Sequence, residues 1–431
     1  MSLLPAAAYQ TDIGSLGYSR RSIIVVNKPE YIRGVTTEAL DLYPKNDLMV
    51  GALRPLVGDS IFVSSGDVWR RQRRMIDPAF SQMRINRAFA SMTAAVDDYE
   101  AHLIGVAERG ETFSLDLAMS HLTADVICRT VFSTSLQTQA AHDVFNAFSF
   151  FERTVAHVEL RRLIFEKAWT KVPHQPEVLE ACQLIRQRLG ELLDTHLEAG
   201  GKDFNDITST LIGARDSETD AAFSREELID QLGVFFLAGH ETTASVLTWV
   251  FFILAVHSEM RQRLRAEIDD VVGDGPVTFE HTKRLALVRN VFREALRLYP
   301  PLTFIPRVAL ENTRIGNRRI KRGAMIMLSP WVLHRHRKYW RDPNAFDPDR
   351  FSAEREDDIV PGTYMPFGQG PRICIGAGFA TTESTLLIAR LVRSFDFEPL
   401  DTSGVRPVAR LTTRPEHQVM CRVRRHNQSD D

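Results

Sequence analysis

The order of apolar and polar residues divides the chain into a helical middle and an irregular last third. Between residues 67 and 298, apolar side chains recur at spacings of three and four, which is the pattern of amphipathic helices. Polar segments that contain glycine separate these runs from one another. The clearest predicted helices cover residues 82–109, 117–132, 176–199 and 258–272.

Short strands and turns frame this helical region. After the double proline at residues 300–301 the pattern changes to short strands, loops rich in proline and aspartate, one more helix and a strand-like tail. No repeat or linker divides the chain, so the sequence predicts a single domain over residues 1–431, mainly α with small β-sheets. The predicted strands cover residues 22–26, 314–320 and 324–328, and the last helix covers residues 376–395.

The most apolar stretch, residues 232–256, is long enough either to span a bilayer or to cross the core of a protein. Its middle carries Glu241 among polar neighbours, and an ionised carboxylate is costly in lipid. We therefore predict a buried core helix and no stable membrane anchor. Residues 1–17 also lack the basic segment and the long apolar run of a secretory signal.

Composition and charge limit the class of protein. The chain has 431 residues, of which 44% are hydrophobic and 25% charged, as is typical of a globular protein. The formal net charge of −2 gives no sign of a nucleic-acid partner. The four cysteines lie far apart, which excludes a disulfide scaffold and a zinc ribbon and fits a reducing, cytoplasmic compartment. They are Cys128, Cys182, Cys374 and Cys421.

One cysteine lies in an unusual segment, F-G-Q-G-P-R-I-C-I-G at residues 367–376. Its three glycines and one proline predict a tight loop whose backbone a flat ligand can approach closely. Cys374 stands just before the last predicted helix, where the helix dipole favours a thiolate, a soft metal ligand. One protein ligand suffices for haem, since the porphyrin supplies four nitrogens. The alternative is that Cys374 is a small buried hydrophobic residue, as most free cysteines are.

This segment matches the F-x-x-G-x-R-x-C-x-G signature of the cytochrome P450 family, and the chain resembles soluble bacterial members of these haem-thiolate monooxygenases. The resemblance implies the cytochrome P450 fold, with haem b between the long central helix and the helix that follows the cysteine loop. It also implies that Cys374 is the iron ligand, whose thiolate promotes O–O cleavage in this family. Phe367, Arg372 and Gly376 are then expected to contact the cofactor.

The middle of the long helix, A-G-H-E-T-T at residues 238–243, combines small residues with an acid–alcohol pair. Ala238 and Gly239 are predicted to open a groove for a diatomic ligand on the haem. Cleavage of an O–O bond requires protons, so we predict that Thr242 hydrogen-bonds the distal oxygen and that Glu241 connects it to water. The acid–threonine motif of the family falls on the same pair. A helix kink without catalytic meaning is the alternative.

An E-x-x-R motif at Glu294 and Arg297 places a carboxylate and a guanidinium on one helix face. By itself such a pair is most often a solvated surface contact. The resemblance implies a structural role in which Arg350, from a later loop, is the third member. Removal of one partner would then leave an uncompensated buried charge.

The two propionates of haem require cationic or hydrogen-bonding partners. The resemblance assigns this role to Trp69 and Arg73, in a W-x-x-x-R motif, and to Arg307 and Arg372. A surface charge is the alternative for each arginine. Together with Arg335, Arg337 and Lys338, these basic residues are predicted to form a face that docks an acidic electron donor.

The predicted substrate pocket is apolar, which indicates a hydrophobic small molecule. Fatty acids, terpenoids, steroids and aromatic compounds all remain open. No change of composition follows Cys374, so we expect no fused flavin or iron–sulfur domain. Electrons are expected from a ferredoxin and its ferredoxin reductase, or from a flavodoxin-type donor. The predicted pocket residues are Phe235, Ala238, Gly239, Thr303, Phe304, Ile305, Leu411 and Thr412, with residues 48–57 as a lid.

These features predict a monooxygenase that inserts one oxygen atom of O2 into its substrate, by hydroxylation or a related oxidation. Two alternatives are a peroxide-driven haem-thiolate enzyme and a haem-binding sensor or carrier without turnover. Peroxide-driven relatives often lose the acid–alcohol pair, and a carrier has no use for one. The presence of Glu241 and Thr242 therefore favours the monooxygenase.

Overall fold

The computed structural model describes residues 6–16, 22–165, 168–200 and 204–426, with the backbone alone for residues 155–165. The predicted lack of a secretory signal concerns residues 1–17, which lie partly outside these ranges. Helices dominate the described chain, so the mainly α prediction is confirmed. The helices are α1 (Pro29–Arg33), α2 (Asp47–Val57), α3 (Gly66–Ile76), α4 (Gln82–Glu108), α5 (Leu115–Phe132), α6 (Gln139–Phe165), α7 (Pro176–Glu198), α8 (Ile207–Ile212), α9 (Arg225–Val256), α10 (Ser258–Val272), α11 (Phe279–Arg284), α12 (Ala286–Leu298), α13 (Pro330–Leu333) and α14 (Ala377–Ser394).

The strands are short and form small sheets at the edge of the helical core. The largest sheet within the described residues has the order β1-β2-β7-β4, in which β2 and β7 are parallel and the outer pairs are antiparallel. Every residue of β2 and β7 is buried, which explains their continuous apolar sequences. The strands are β1 (Ile13–Leu16), β2 (Ile23–Val26), β3 (Phe113–Ser114), β4 (Ile305–Val308), β5 (Thr313–Ile315), β6 (Arg318–Ile320), β7 (Met325–Leu328), β8 (Phe395–Pro399), β9 (Pro407–Ala409), β10 (Thr413–Pro415) and β11 (Met420–Arg425).

The helical periodicity predicts the element boundaries well. Each predicted helix of the middle region begins and ends within two residues of the observed one. The segment 314–320, predicted as extended, is a hairpin of β5 and β6 that turns at Gly316, where φ is +55°. Such a conformation favours glycine, which explains why the turn occurs there.

The helix α9 runs through the interior of the protein. It begins at a capping box, in which the backbone amide of Glu227 donates to Ser224 Oγ and the Ser224 amide donates to the Glu227 carboxylate. In the described chain it is the one helix that is long and apolar enough to cross a membrane, but 72% of its most apolar stretch is buried inside the protein. The burial explains the apolar sequence without a bilayer.

The segment around β10 lies across one face of α9. Ser245 Oγ and Trp249 Nε1 both donate to the backbone carbonyl of Thr413, over 2.8 and 2.9 Å. Because Glu241 precedes Ser245 by four residues, it lies on the same helix face. On the other side of the segment, Thr413 Oγ1 donates to the carbonyl of Pro300 over 2.6 Å. The chain after α12 and the C-terminal region therefore meet at the middle of α9.

Candidate functional site

The cysteine loop has a fixed backbone shape that depends on two glycines. Gly368 and Gly370 have φ values of +74° and +73°, in the left-handed region that other residues rarely adopt. A Cβ on Gly370 would also lie 2.7 Å from the backbone oxygen of Thr36. The amide of Cys374 donates to the carbonyl of Phe367 over 2.9 Å and closes the loop. The sulfur is thus presented from a rigid turn just before α14.

The Cys374 thiol is accessible to solvent although protein atoms surround it on most sides. Burial raises the pKa of the Cys374 thiol, and the Gly376 amide together with the cations Arg73 and Lys45 offsets this only in part. The Gly376 amide at the start of α14 thus favours the thiolate, as predicted, but desolvation outweighs it while the site holds no metal. A metal ion supplies the missing positive charge, since a coordinating thiol loses its proton.

Three cations form a cluster at the cysteine loop, and we call Lys45, Arg307 and Arg372 the cation cluster. Arg307 is buried, and Lys45 and Arg372 are half-buried. A β-bridge joins the backbones of Lys45 and Arg307. Burial lowers the pKa of all three groups, and the neighbouring guanidinium groups lower that of Lys45 further. Among the described residues no carboxylate forms an ion pair with any of them, and Arg307 Nε and Nη1 and Arg372 Nη1 lack hydrogen-bond partners.

Cations that are buried or half-buried without anionic partners carry a desolvation cost. The cation cluster therefore fits a doubly anionic ligand, and the two propionates of haem match it in charge and in hydrogen-bonding chemistry. Lys45 was not predicted from the sequence, because a lone lysine in a polar stretch carries no signal. The β-bridge to Arg307 brings it into the cluster.

The W-x-x-x-R motif of α3 supports this region in two different ways. The guanidinium of Arg372 stacks on the Trp69 ring, 4.4 Å from its centroid, and Arg372 Nη2 donates to the carbonyl of Ser64 over 2.7 Å. Arg73 instead reaches the cysteine loop, where its Nη1 donates to the carbonyl of Ile373 over 2.7 Å. Trp69 thus orients a member of the cation cluster, whereas Arg73 fixes the loop that carries the sulfur.

The small residues of α9 have a different arrangement from the one predicted. Thr242 Oγ1 donates to the carbonyl of Ala238 over 2.6 Å, within the helix. A Cβ on Gly239 would lie 2.4 Å from Ile127 Cδ1 of α5. The prediction that Gly239 opens a groove for a diatomic ligand is therefore wrong, because its missing side chain makes room for α5.

Glu241 lies in a buried set of charges that we call the Glu241 cluster, consisting of Glu241, Arg414 and Glu152. Arg414 Nε donates to Glu241 Oε1 over 2.9 Å, and Arg414 Nη2 pairs with Oε2. The hydroxyl of Thr412 donates to Glu241 Oε1 as well. The carboxyl of Glu152, on α6, also hydrogen-bonds the Glu241 carboxylate.

Charge interactions shift the pKa values of the two carboxyl groups of this cluster in opposite directions. Burial alone would raise the pKa of Glu241, but the Arg414 guanidinium outweighs it and lowers that pKa to about 2. Burial and the Glu241 carboxylate raise the pKa of Glu152 to about 9. Glu241 is therefore ionised and Glu152 protonated at neutral pH. Neither Glu152 nor Arg414 was predicted, since both are distant from Glu241 in the sequence.

The E-x-x-R pair is fully buried and joins the third arginine. Arg297 Nε and Nη2 donate to the Glu294 carboxylate over 2.6 and 2.7 Å, and both side chains have 0% exposure. Arg350 Nε lies 3.5 Å from Glu294 Oε1. The other donors of Arg297 bind backbone carbonyls of the loop between α13 and Pro348. The structure thus brings Glu294, Arg297 and Arg350 together, with every charge close to a partner.

The predicted basic docking face is wrong in part. Arg335 is buried, with its guanidinium 3.5 Å from the centroid of the Trp331 ring. Lys338 pairs with Asp12 over 3.4 Å, whereas Arg337 is exposed. The other arginines of α3 are neutralised by carboxylates from neighbouring segments. These pairs are Arg70 with Asp41 and Asp67, Arg71 with Glu227, and Arg74 with Asp216 and Glu218.

The predicted pocket residues lie in several elements around the cysteine loop and α9. Phe235 packs edge-to-face on Phe80, with ring centroids 5.3 Å apart, and Thr303 is buried after α12. Ile305 Cδ1 would lie 3.8 Å from a Cβ on Gly368. The predicted lid, residues 48–57, belongs to α2, which packs against α6, α7 and α9.

Comparison with known proteins gives one consistent result. The family model described as Cytochrome P450 matches residues 9–422. Cyclooctat-9-en-7-ol 5-monooxygenase of Streptomyces melanosporofaciens is 35% identical over 352 residues, which are 80% of this chain and 74% of that protein. Cyclooctatin synthase of the same organism is 31% identical over 92% of this chain and 85% of its own length. The crystal structure of the cytochrome P450DA heme domain superposes with a TM-score of 0.84, at 26% identity over 96% of this chain and 89% of that one.

Proposed function

The chain belongs to the cytochrome P450 family, and from this premise we propose that Cys374 is the axial ligand and that the cation cluster receives the haem propionates. The enzyme is a cytochrome P450 monooxygenase, and its cofactor is haem held by a cysteine thiolate. The observation that carries the assignment of residues is the position of Lys45. Its charge interacts with Arg307 and Arg372 and also with the Cys374 sulfur. One half-buried lysine thus connects the proposed ligand with the proposed propionate site.

The proposed roles of the remaining residues follow from their contacts. Haem with a thiolate ligand supplies dioxygen activation, and the thiolate promotes O–O cleavage. The carbonyl of Phe367 accepts a hydrogen bond from the Cys374 amide, and the Gly376 amide donates to the Cys374 sulfur. On α9, the Thr242 hydroxyl donates to the carbonyl of Ala238. Thr242 is the proposed hydrogen-bond donor to the oxygen ligand, for which its single O–H would turn away from Ala238. Glu241 is proposed as the acid that passes protons to this region.

We propose that the substrate is a hydrophobic small molecule that the enzyme hydroxylates or oxidises in a related way. The apolar character of Phe235, Phe304 and Ile305 supports this. A relative is named for its action on cyclooctat-9-en-7-ol, so this compound belongs in the first panel of substrates to be tested.

Electrons are proposed to come from a ferredoxin and its ferredoxin reductase, or from a flavodoxin-type donor, in the cytoplasm. The surface outside the cysteine loop offers an exposed apolar contact at Ile373, with 43% exposure, and at Met83 of α4, with 59%. Gln82 and Ile85, also in the first turn of α4, lie against Gly378 of α14, which brings Met83 near the loop. We therefore propose that the donor docks on this apolar surface, close to the sulfur.

The axial ligand is tested by the difference spectrum of the reduced protein with carbon monoxide. We expect a thiolate-type Soret band in the wild-type protein and in Cys182→Ala, a matched control at a buried cysteine of α7. Cys374→Ala is expected to lose this band completely, because the other cysteines are buried in helices or strands. A thiolate-type band that persists in Cys374→Ala would contradict the assignment. Type I spectral shifts across a panel of lipophilic compounds then identify the class of substrate.

A further inference from the structure

Helix α6 presents one face to the middle of α9. The ring centroids of Phe145 and Phe148 lie 6.0 and 4.8 Å from that of His240. Phe148 follows Phe145 by three residues, and Glu152 follows Phe148 by four, so all three share one helix face. This spacing explains why the Glu152 carboxyl reaches Glu241.

Glu152 is the member of the Glu241 cluster with access to solvent. Its side chain is partly exposed, whereas Glu241 is 2% and Arg414 7% exposed. Thr412, which donates to Glu241, is also buried, at 2% exposure. Arg414 cannot relay protons, because a guanidinium does not give up its proton in proteins. Within the described residues, Glu152 is therefore the titratable contact of Glu241 that can exchange a proton with water.

Charge neutrality places one exchangeable proton in this cluster. Two ionised carboxylates and one guanidinium would leave a buried net negative charge, and a single proton on one carboxyl removes it. The surrounding groups do not change this balance. His240 is neutral, since burial lowers its pKa to about 4, and its Nδ1 contacts the carbonyl of Phe236 over 2.7 Å. In the part of the chain that the structure describes, the other titratable groups that act on the cluster are Arg410, Asp116 and, through His240, His121.

We propose that Glu152 supplies protons from solvent to Glu241, which passes them on during turnover. This inference rests on the proposed role of Glu241 as the proton-passing acid. In the step, the O–H bond of Glu152 breaks, an O–H bond forms on Glu241, and the negative charge moves from Glu241 to Glu152. Glu241 passes this proton to the oxygen site and is ionised again, and Glu152 takes a proton from hydronium at its exposed side, which returns the cluster to its starting state. Glu152 is thus a positioning residue that acts through Glu241.

The proton itself can be observed without turnover. In infrared spectra of the haem-loaded enzyme we expect the C=O band of a protonated carboxyl, with a shift in D2O. The difference spectrum of wild type minus Glu152→Gln should contain this band, and that of wild type minus Glu180→Gln, a matched control at an exposed glutamate of α7, should not. Burial also raises the pKa of Glu383, so its band is common to all variants and cancels in the difference. The amide of Gln can still donate to Glu241, so Glu152→Gln preserves the hydrogen bond and removes only the proton. An unchanged band in Glu152→Gln would overturn the proposal.

Turnover then tests the direction of proton flow. In Glu152→Gln we expect the rate of coupled turnover to fall about tenfold, a modest share of the usual general-acid contribution, with more peroxide and a larger solvent isotope effect. Glu152→Asp should restore part of the rate. In the wild-type enzyme, coupling should decline as the pH rises through the raised pKa of Glu152, because the carboxyl then loses its proton, and Glu152→Gln should lack this decline.

A companion variant separates this inference from the proposed function. If Glu241→Gln uncouples the enzyme and Glu152→Gln does not, the role of Glu152 is overturned and that of Glu241 stands. If neither variant changes coupling, the proton-passing role of Glu241 fails as well. If both variants uncouple the enzyme to a similar degree and the double variant is no worse, the two residues act in one pathway, as proposed.

Discussion

The cation cluster and the Glu241 cluster are both sets of three ionisable groups that are buried or half-buried, but they differ in how their charge is balanced. Lys45, Arg307 and Arg372 form no ion pair with a carboxylate of the described chain, and three of their N–H-bearing atoms lack acceptors. Glu241 and Arg414 neutralise each other, and Glu152 adds a neutral carboxylic acid. The first set needs a ligand from outside the chain, whereas the second needs only a proton.

This difference shows how buried charge indicates function. A buried ionic group is tolerated only when a partner compensates its lost hydration. Where the chain supplies no partner, a bound ligand of opposite charge is the expected solution, here the haem propionates. Where the chain supplies one carboxylate too many, a titratable proton is the expected solution. The Glu294 triad is the third case, in which the chain supplies both signs of charge, since Glu294 pairs with Arg297 and Arg350 and a second carboxylate, Asp347, lies 3.9 Å from Arg350.

The largest effect is expected at the Glu294 triad. Glu294→Ala leaves the Arg297 guanidinium buried without its carboxylate, which we expect to destabilise the fold by about 3–5 kcal/mol and to leave little or no haem-loaded protein. The measurement is the haem content of purified protein together with chemical denaturation. Glu280→Ala is the matched control, because Glu280 pairs with Lys283 at the surface and should matter by less than about 1 kcal/mol. Normal haem incorporation in Glu294→Ala would contradict the structural role of the triad.

At the cation cluster, we expect one substitution to stabilise the haem-free protein and to weaken haem binding. Lys45→Met should stabilise the haem-free protein by about 1 kcal/mol, since it removes a half-buried charge that no carboxylate pairs but loses its contact with the Phe62 ring. The same change should speed haem loss about tenfold, because a charge-assisted hydrogen bond is worth roughly 1.5–3 kcal/mol. Lys321→Met, at an exposed lysine, is the control. Equal effects on the two states would contradict a propionate-binding role.

The same variant has a pH signature. Burial holds the pKa of Lys45 well below 10.5 in the folded protein. Between the two values the unfolded chain binds a proton that the folded chain does not, so the haem-free wild type should gain stability as the pH rises toward 10.5. Lys45→Met should lack this gain, which pH-dependent denaturation of the haem-free protein measures.

The smallest effect is expected at Thr242, which belongs to neither cluster. Thr242→Ala should leave folding and haem content intact and lower the fraction of electrons that reach product several-fold, with release of peroxide. The matched control is Thr248→Ala, because Thr248 also donates to the carbonyl four residues earlier in α9, over 2.8 Å. The measurement is product and peroxide formed per NAD(P)H consumed. Unchanged coupling in Thr242→Ala would show that its hydroxyl serves only the helix.

Local patterns in the sequence predicted much of the fold. The helices α4, α5, α7 and α10 follow directly from three- and four-residue spacing, because each buries one face. The loop around Cys374 follows from its glycines, which have the positive φ values that glycine favours. Gly239 was misread, because sequence spacing does not show which neighbouring helix a missing side chain faces. The basic face was misread for a related reason, since nothing near Arg335 in the sequence shows that it is buried under Trp331.

The sequence by itself therefore determined the family, the helical framework and the cysteine that is the proposed iron ligand, because these depend on short-range patterns. The tertiary structure alone decided the balance of buried charge. Lys45 and Arg307 are 262 residues apart, and Glu152, Glu241 and Arg414 come from α6, α9 and β10. Coulomb interactions and desolvation depend on distance in space and on burial, and neither is encoded in the spacing of residues along the chain.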